Sequence, residues 1–366
     1  MTQTLLSLYK KINVVPDLKN NAFDFVRIIL SLMVVLAHCA FPTIGAISLN
    51  VTGGVNIGMY GVYGFFLISG YLLSFSLNKN NDLFNFFKNR ALRIYPGFLF
   101  MLFIIATVFV PFWYYIAFGQ NWLDPKNLLN MFYNSFSYFF KNIGGEIMMP
   151  YLEIASKNNG SFTEVNISLW SIIQEIRAYV IIFLLFVLGI VHNKKLFNIG
   201  FVVSSLVFCM IQINPVVKDF FATLSSNIDF LFPFFYFILG IFFWVNKDWI
   251  KFELKYFIFS IVALLLLINF NFVPFFGYIL FGYCLLFLCY KLPIQNLSKK
   301  YGDYTYGLYL YSFPVQITLF KFQIFQKYGF LTFYISTLLI SFVFAFLSWH
   351  LVEKKFLRRR IPKPIS

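Results

Sequence analysis

Long apolar runs separated by short polar segments make up most of the chain. A helix needs about 20 predominantly apolar residues to cross the hydrocarbon core of a bilayer, and ten runs have or approach that length. They lie at residues 23–42, 57–77, 94–117, 168–191, 196–213, 229–246, 256–270, 272–290, 304–324 and 331–352. The pattern predicts an all-α polytopic membrane protein, built as a bundle of about ten transmembrane helices.

The predicted spans divide the chain into three parts. Residues 1–22 form an N-terminal segment, residues 23–352 the transmembrane domain, and residues 353–366 a basic C-terminal tail. The longest segment between spans, at 118–167, contains the amphipathic stretch "LLNMFYNSFSYFFK". This segment is either an interfacial helix with a solvated loop or a cap that binds a large substrate, and the sequence leaves both open.

Composition and charge support the membrane assignment. Charged residues make up 12% of the chain, against about 25% in soluble domains. With the N-terminus taken as cytoplasmic, one side of the bundle holds 21 of the 29 Lys and Arg residues and the other side six. The positive-inside rule then predicts that both termini are cytoplasmic, and the net charge of +15 requires no nucleic acid. The four cysteines show no metal-ligand or disulfide spacing, and we expect no metal site.

Two polar side chains interrupt the first apolar run, "DFVRIILSLMVVLAHC". Arg27 and His38 are eleven residues apart, almost three helical turns, so they share one face about 16 Å apart along the axis. A charge inside the bilayer is costly and usually marks a pathway or a catalytic site. The alternatives are that Arg27 reaches the interface or pairs with Asp24, and that His38 is packed and hydrogen-bonded to a neighbouring helix.

Further blocks of the chain carry polar residues inside or beside apolar runs. They read "GVYGFFLISGYLLSFS" followed by "FFKNRALRIYPGF", then "SLWSIIQEIRAY", "YGDYTYGLYLYSFPVQ" and "SWHLVEKKF". Together with "FDFVRIILSLMVVLAHC", in which an Arg and a His are separated by ten residues, these blocks resemble the membrane acyltransferase 3 family in their order along the chain. The resemblance departs at Ser312, where many family members have histidine.

The resemblance implies a fold and an activity. Members of the family transfer acyl groups, typically acetyl from acetyl-CoA, to sugars and other acceptors on the outer side of bacterial membranes. We therefore expect a multi-pass O-acyltransferase of the bacterial plasma (inner) membrane, surrounded by membrane lipids, with acetyl-CoA as its donor substrate and no permanently bound cofactor. The expected acceptor is a hydroxyl of a cell-envelope polysaccharide or lipid-linked saccharide. The alternative is a transporter or flippase of lipid-linked saccharides, although two similar halves with broken helices are not found.

Two side chains are expected to take part in the chemistry that the resemblance implies. An imidazole can accept the proton of an attacking hydroxyl near neutral pH, so His38 is the candidate general base, and formation of an acyl-histidine stays open. Glu175 is the second intramembrane charge and would orient His38 or contact the acceptor hydroxyl. Its alternative is a structural ion pair with Arg177 or with another helix.

Three arginines are expected to bind the donor. Arg90 and Arg93, in "NRALRIYP", lie at the predicted cytoplasmic mouth of the third helix, where Pro96 suits a first turn. They would bind the phosphates of coenzyme A, unless they are ordinary positive-inside anchors. Arg27 would hold polar groups of the donor on the way to His38.

The remaining candidates are possible cavity-lining residues. Ser69 lies in "GFFLISGYL", whose small residues either allow close helix packing or expose backbone donors for an oxyanion. Tyr309 and Ser312 share a helix face, where they line a cavity or join helices by polar contacts. Glu353 is expected at the cytoplasmic surface, paired with nearby basic residues.

Overall fold

The computed structural model describes residues 21–43, 50–52, 55–79, 83–143, 165–224, 231–269, 277–294 and 297–358, and most of these residues are helical. The α-helices are α1 (Phe23–Thr43), α2 (Ile57–Lys79), α3 (Leu83–Ile104), α4 (Val110–Phe118), α5 (Pro125–Ile143), α6 (Trp170–Val187), α7 (Lys194–Ile213), α8 (Pro215–Leu224), α9 (Phe232–Val245), α10 (Leu254–Asn269), α11 (Tyr278–Lys291), α12 (Leu297–Tyr301), α13 (Thr305–Lys321), α14 (Ile324–Ser348) and α15 (Lys354–Arg358). Shorter elements are the π turns Ile105–Phe109 and Trp349–Glu353, the 3₁₀ turns Gly119–Leu123 and Ile167–Leu169, and an antiparallel hairpin of β1 (Asn50–Thr52) and β2 (Val55–Asn56).

Each of the ten predicted apolar runs coincides with a helix or with part of one. Within the described ranges, six helical stretches are long and apolar enough to cross a membrane: Phe23–Ala40, Ile57–Asn78, Phe84–Leu123, Ile167–Val187, Lys194–Ile213 and Ile324–Leu357. Three shorter apolar helices are Phe232–Val245, Leu254–Leu267 and Tyr278–Lys291. The all-α prediction is therefore confirmed apart from the short hairpin, whereas ten crossings and two cytoplasmic termini stay predictions.

The third predicted helix begins earlier in the structure than hydropathy indicates. α3 begins at Leu83 and continues through the π turn and α4 to Phe118, so Pro96 lies inside a helix. The prediction that Pro96 occupies a first turn is wrong, because the polar residues before it are themselves helical. Hydropathy marks where a helix becomes polar, and helix formers such as Lys88 and Arg90 extend it further.

The long segment at 118–167 is helical in part. Its amphipathic stretch lies within α5, and the 3₁₀ turn Gly119–Leu123 connects α4 to it. Two side chains hold α5 in place: Asn134 donates to the Tyr114 hydroxyl at 2.5 Å, and Asn127 donates to the carbonyl of Asn121 at 2.8 Å. Residues 144–164 of this segment lie outside the described ranges.

Two compact units make up the chain, and α1 and α6 contribute residues to both. The first unit comprises residues 1–34, 49–82 and 174–301. In it, α2 packs directly on the backbone of α9, because a Cβ on Gly70 would overlap the carbonyl oxygen of Phe237. The rings of Tyr63 and Tyr236 stack beside this contact with their centroids 4.4 Å apart. Small residues thus allow these two helices to approach closely.

The second unit comprises residues 35–48, 83–173 and 302–366. In it, α13 packs along α14, where a Cβ on Gly307 would lie 2.7 Å from the Cα of Ala345. Trp113 of α4 donates its indole N–H to Thr318 of α13 at 2.8 Å. This unit contains His38 at the C-terminal end of α1 and all the polar contacts of that side chain described below.

Candidate active site

His38 lies in the last two turns of α1 and is half-buried. Its Nδ1 atom lies 3.4 Å from Oγ of Ser168. The ring of Phe313, on α13, meets the imidazole edge to face at 5.6 Å between centroids. Because Nδ1 faces the serine, the opposite ring nitrogen, Nε2, is directed away from Ser168.

Ser168 belongs to a short turn that Asn166 stabilises. Asn166 has an extended backbone conformation, with φ −159° and ψ 91°, and its Oδ1 accepts a hydrogen bond from the Ser168 amide at 3.2 Å. This is the usual geometry of an asparagine at a helix N-terminus. Its Nδ2 donates to the carbonyl of Leu310 at 2.8 Å. One buried side chain thus shapes the turn that presents Ser168 and fastens it to α13.

Tyr309 fixes the same turn from α13. Its hydroxyl donates to the Ser168 carbonyl at 2.5 Å, so Oγ of Ser171, at 2.6 Å, is left to donate to the tyrosine oxygen. Ser312 lies one turn further along α13, is fully buried, and donates to the Tyr309 carbonyl at 3.4 Å. Tyr309 therefore contacts the residues that hold His38, whereas the hydroxyl of Ser312 bonds within its own helix.

Gln316 holds the end of α1 directly. Its Nε2 donates to the Val35 carbonyl at 3.1 Å and to Sγ of Cys39 at 3.2 Å. The Cys39 thiol also lies 3.7 Å from Oγ1 of Thr337, on α14. These contacts lie on either side of His38 in sequence, so the imidazole is carried on a helix turn whose position is fixed by α13 and α14.

Arg93 forms an ion pair in the same unit. Its Nη2 lies 2.5 Å from Oδ2 of Asp303, and the two side chains are only 22% and 12% exposed. The other carboxylate oxygen of Asp303 accepts from the hydroxyl of Thr305 at 2.5 Å and from its amide at 3.3 Å, in the first turn of α13. Arg90, one turn earlier on α3, is partly buried. Arg93 thus joins α3 to the start of α13, a contact that sequence reasoning did not anticipate.

Glu353 is buried rather than exposed at a surface. It lies in the π turn after α14 with 2% of its surface exposed, and it accepts a hydrogen bond from Ser348 at 2.7 Å. A Cβ on Gly97 would lie 3.0 Å from its carboxyl carbon. Within the described ranges no basic side chain forms an ion pair with Glu353, so the expected surface pairing is wrong. The helical continuation through α15 encloses a carboxylate that the sequence placed in a polar tail.

Three further candidates, Arg27, Ser69 and Glu175, belong to the first unit. Asp24 accepts hydrogen bonds from the amide and the hydroxyl of Ser298, the former at 3.2 Å. No Arg27–Asp24 ion pair forms among the described residues, so this alternative for the half-buried Arg27 is wrong. Ser69 is partly buried and directly precedes Gly70, whose contact with the α9 backbone favours the packing interpretation of that motif.

Glu175 accepts a hydrogen bond from the hydroxyl of Tyr179, one turn further along α6. Arg177 donates instead to Oε1 of Gln174 at 3.3 Å. The alternative of an ion pair between Glu175 and Arg177 is therefore not realised in the part of α6 that the structure describes. Its catalytic role stays a prediction.

The structure adds site residues that sequence reasoning missed, chiefly Asn166, Ser168 and Gln316. A signal exists for the first two, because Asn or Ser directly before an apolar run is a typical helix start. Gln316 is a polar residue in an otherwise apolar helix, which is a signal of the same kind as His38. Neither pattern indicates which partner such a residue contacts.

The fold and the site define a membrane protein of apolar helices with a histidine fixed by polar contacts near a helix end. A family model described as an acyltransferase domain matches residues 20–350, and the chain belongs to this family. It is therefore an acyltransferase enzyme. The chain is also 28% identical over 358 residues to a protein described as an O-acetyl transferase, from Shigella phage Sf6, covering 94% of this chain and 98% of the relative. No solved structure shows a significant match.

Proposed function

We propose that this acyltransferase moves an acetyl group from cytoplasmic acetyl-CoA to a hydroxyl of a cell-envelope polysaccharide or lipid-linked saccharide, in the plasma membrane of a bacterium. The description of the phage relative as an O-acetyl transferase supports acetyl as the group and oxygen as the accepting atom. The basic loops support a cytoplasmic donor, because coenzyme A is a charged molecule of the cytoplasm.

The observation that carries the proposal is the contact between Nδ1 of His38 and Ser168. With Nδ1 protonated and donating to the serine, Nε2 holds a lone pair and can act as a general base. The acceptor hydroxyl loses its proton to Nε2 as its oxygen attacks the thioester carbonyl. The carbon–sulfur bond then breaks, and the thiolate of coenzyme A leaves with the proton from His38. The products are an acetyl ester and free coenzyme A.

Donor binding is assigned to Arg27, Arg90 and Arg93. Arginine's several donors suit phosphate recognition, and Arg93 would contact the donor in addition to its ion pair with Asp303. Arg27 lies on α1, three turns before His38 along the helix. Glu175 is assigned to the acceptor side. The Glu175 carboxylate accepts a hydrogen bond from Tyr179, and it would accept one from a substrate hydroxyl in the same way.

The test is acetyl transfer by His38→Ala in proteoliposomes. The assay follows radiolabel from acetyl-CoA into envelope polysaccharide and lipid fractions taken from cells lacking the enzyme. Loss of a general base lowers the rate by about 10²–10⁴, so we expect a loss of that size with the amount of inserted protein unchanged. His192→Ala is the matched control, since His192 is exposed and outside the site.

Two results would contradict the proposal. Transfer by His38→Ala within about twofold of the wild type would exclude His38 as the base. A wild-type protein that moves lipid-linked saccharide across the bilayer, yet acetylates neither fraction, would favour the flippase. Label that stays on the protein when the acceptor is omitted, and disappears in His38→Ala, would instead identify an acyl-histidine and replace the direct transfer step.

A further inference from the structure

An apolar cavity lies beside α5, apart from the contacts of His38 described above. It has a volume of about 400 Å³, within the range of about 300–1,000 Å³ usual for small-molecule sites. One wall comes from α3 and the π turn, including Phe103, Ala106 and Thr107. The other comes from α5, including Met131, Ser135 and Phe136. Both walls belong to the second compact unit.

Pro111 explains why the wall formed by α3 and the π turn departs from a regular α-helix. Proline has no N–H to donate to the carbonyl four residues earlier, that of Thr107, and its ring would crowd that oxygen. The helix widens into the π turn Ile105–Phe109 just before it, and such turns often occur at functional sites. The wall is therefore set by the local sequence.

The chemistry of the lining favours a hydrocarbon chain. Among the described residues, no charged side chain lines the cavity, and its two hydroxyl groups are those of Thr107 and Ser135. Thr107 already donates to the Phe103 carbonyl at 2.8 Å. A sugar or a phosphate would leave most of its polar groups without partners in such a site, at a cost of several kcal/mol, on the order of 2–7 for each.

Ser135 is the exception in this apolar lining. It is 9% exposed, and in the described part of the chain its Oγ has no hydrogen-bond partner. Most buried hydroxyl groups in proteins are hydrogen-bonded. A ligand with one acceptor oxygen attached to an apolar chain would supply the partner that the protein does not.

The surface around the cavity indicates where such a ligand comes from. Phe103, Phe132 and Phe136 line the cavity and are 51%, 51% and 60% exposed. Leu129 and Tyr133 continue this apolar surface along α5 and are still more exposed. Polar residues of α5, such as Lys126 and Asn130, lie on the side of the helix away from the cavity-lining residues. This is the arrangement of an interfacial amphipathic helix. The cavity is therefore continuous with an exposed apolar surface of the kind that an interfacial helix presents to lipid.

From these observations we propose that the cavity binds an acyl chain of a membrane glycerolipid, with the ester carbonyl accepting a hydrogen bond from Ser135. The site is independent of acetyl transfer, and no part of the proposal depends on the donor or the acceptor. A polyprenyl chain is the competing occupant, but its own oxygen belongs to a phosphate, and no cation in the described lining would compensate that charge.

Photo-labelling of the full chain in liposomes tests the site. The probe is a phosphatidylethanolamine with a diazirine in its ester-linked acyl chain, and labelled peptides are located by mass spectrometry. We expect labelling within residues 103–111 and 131–139. Ala106→Trp fills the cavity and should reduce labelling of both segments at least fivefold. Val108→Trp is the matched control, because Val108 is on the same π turn, is 45% exposed and does not line the cavity.

A second comparison isolates the hydrogen bond. An ether-linked probe with the same chain lacks the carbonyl, so the wild type should label with the ester probe about fivefold more than with the ether probe, the worth of one ordinary hydrogen bond. In Ser135→Ala the two probes should label equally. Three results would overturn the proposal: equal labelling of Ala106→Trp and wild type, an ester preference that persists in Ser135→Ala, or stronger labelling of both segments by a diazirine polyprenyl phosphate.

Discussion

The contact between α2 and α9 and the surroundings of His38 hold helices together by different means. Between α2 and α9, glycines bring backbones into contact and aromatic rings stack, and the contact requires small volume more than directed bonds. Around His38, one asparagine, one tyrosine and one glutamine hydrogen-bond groups far apart in the chain. The contact between α2 and α9 is therefore sensitive to added side-chain volume, whereas the surroundings of His38 are sensitive to the loss of a hydrogen-bond donor.

This difference separates stability from catalysis. Added volume between α2 and α9 must move one of the two helices, because the obstacle is backbone. A lost hydrogen bond near His38 can leave every helix in place and still turn the imidazole, and a small misplacement would be costly for the general base that we propose His38 to be. We therefore expect substitutions between α2 and α9 to lower the amount of folded protein, and substitutions near His38 to lower kcat.

The largest effect is expected from Gly70→Ala. The new methyl group would overlap the Phe237 carbonyl. Overpacking costs about 1–3 kcal/mol and occasionally more, and we expect the upper end of this range because the obstacle is backbone. Thermal unfolding in detergent should show a marked drop in melting temperature, while kcat per folded molecule stays within about twofold.

Gly200→Ala is the control for this change. A Cβ on Gly200, on α7 of the same unit, meets no atom within 4 Å. Alanine is a better helix former than glycine by roughly 0.5–1 kcal/mol, so this variant should be slightly more stable than the wild type. Equal stability of the two alanine variants would show that α2 and α9 do not pack through Gly70.

The next largest effect is expected from Arg93→Gln. This change leaves the carboxylate of Asp303, 12% exposed, without its cation, and a hydrogen bond between charged groups is worth roughly 1.5–3 kcal/mol. Arg93→Gln should therefore lower the melting temperature, and adding Asp303→Asn should restore part of it. If Arg90 binds a phosphate of the donor, Arg90→Gln should raise KM for acetyl-CoA.

A second ion pair provides the comparison. Lys255 and Glu253 lie 3.0 Å apart, and the lysine side chain is 60% exposed. Exposed pairs contribute little, so Lys255→Gln should leave the melting temperature nearly unchanged. A drop equal to that of Arg93→Gln would mean that burial does not set the strength of the Arg93–Asp303 contact.

Helix positions were predictable from the sequence because burial in lipid requires apolar runs of a fixed length. Helix ends were less predictable than helix positions. α3 begins at Leu83 because polar residues extend the helix towards its N-terminus, and Glu353 is buried because α14 is continued, through the π turn Trp349–Glu353, into α15 and past the apolar run. Hydropathy marks where apolar residues begin and end along the chain, and neither of these helix ends coincides with such a boundary.

The candidate site was predictable only in its individual residues. His38 and Tyr309 stand out as polar groups in apolar helices, and both lie in the sequence blocks that resemble the family. Their link through Ser168 was not predictable, because Ser168 is 130 residues from His38 and 141 from Tyr309 in the chain. A hydrogen bond between distant residues depends on how helices are arranged, and a pattern within one helix does not contain that arrangement.

Among the changes that are expected to lower stability or rate, the smallest loss is expected from Asn166→Ala. The change removes both the cap of the Ser168 turn and its bond to Leu310, so Ser168 should no longer hold Nδ1 of His38. We expect kcat to fall about tenfold, or about 1.4 kcal/mol, with little change in KM because only 1% of the surface of Asn166 is exposed to bind a substrate. Asn166→Ser keeps a capping oxygen and should recover part of the rate.

Asn193→Ala is the control, because it removes a similar cap from α7 and should lower stability without changing kcat. A loss of kcat in Asn193→Ala equal to that in Asn166→Ala would mean that the Ser168 turn does not position His38.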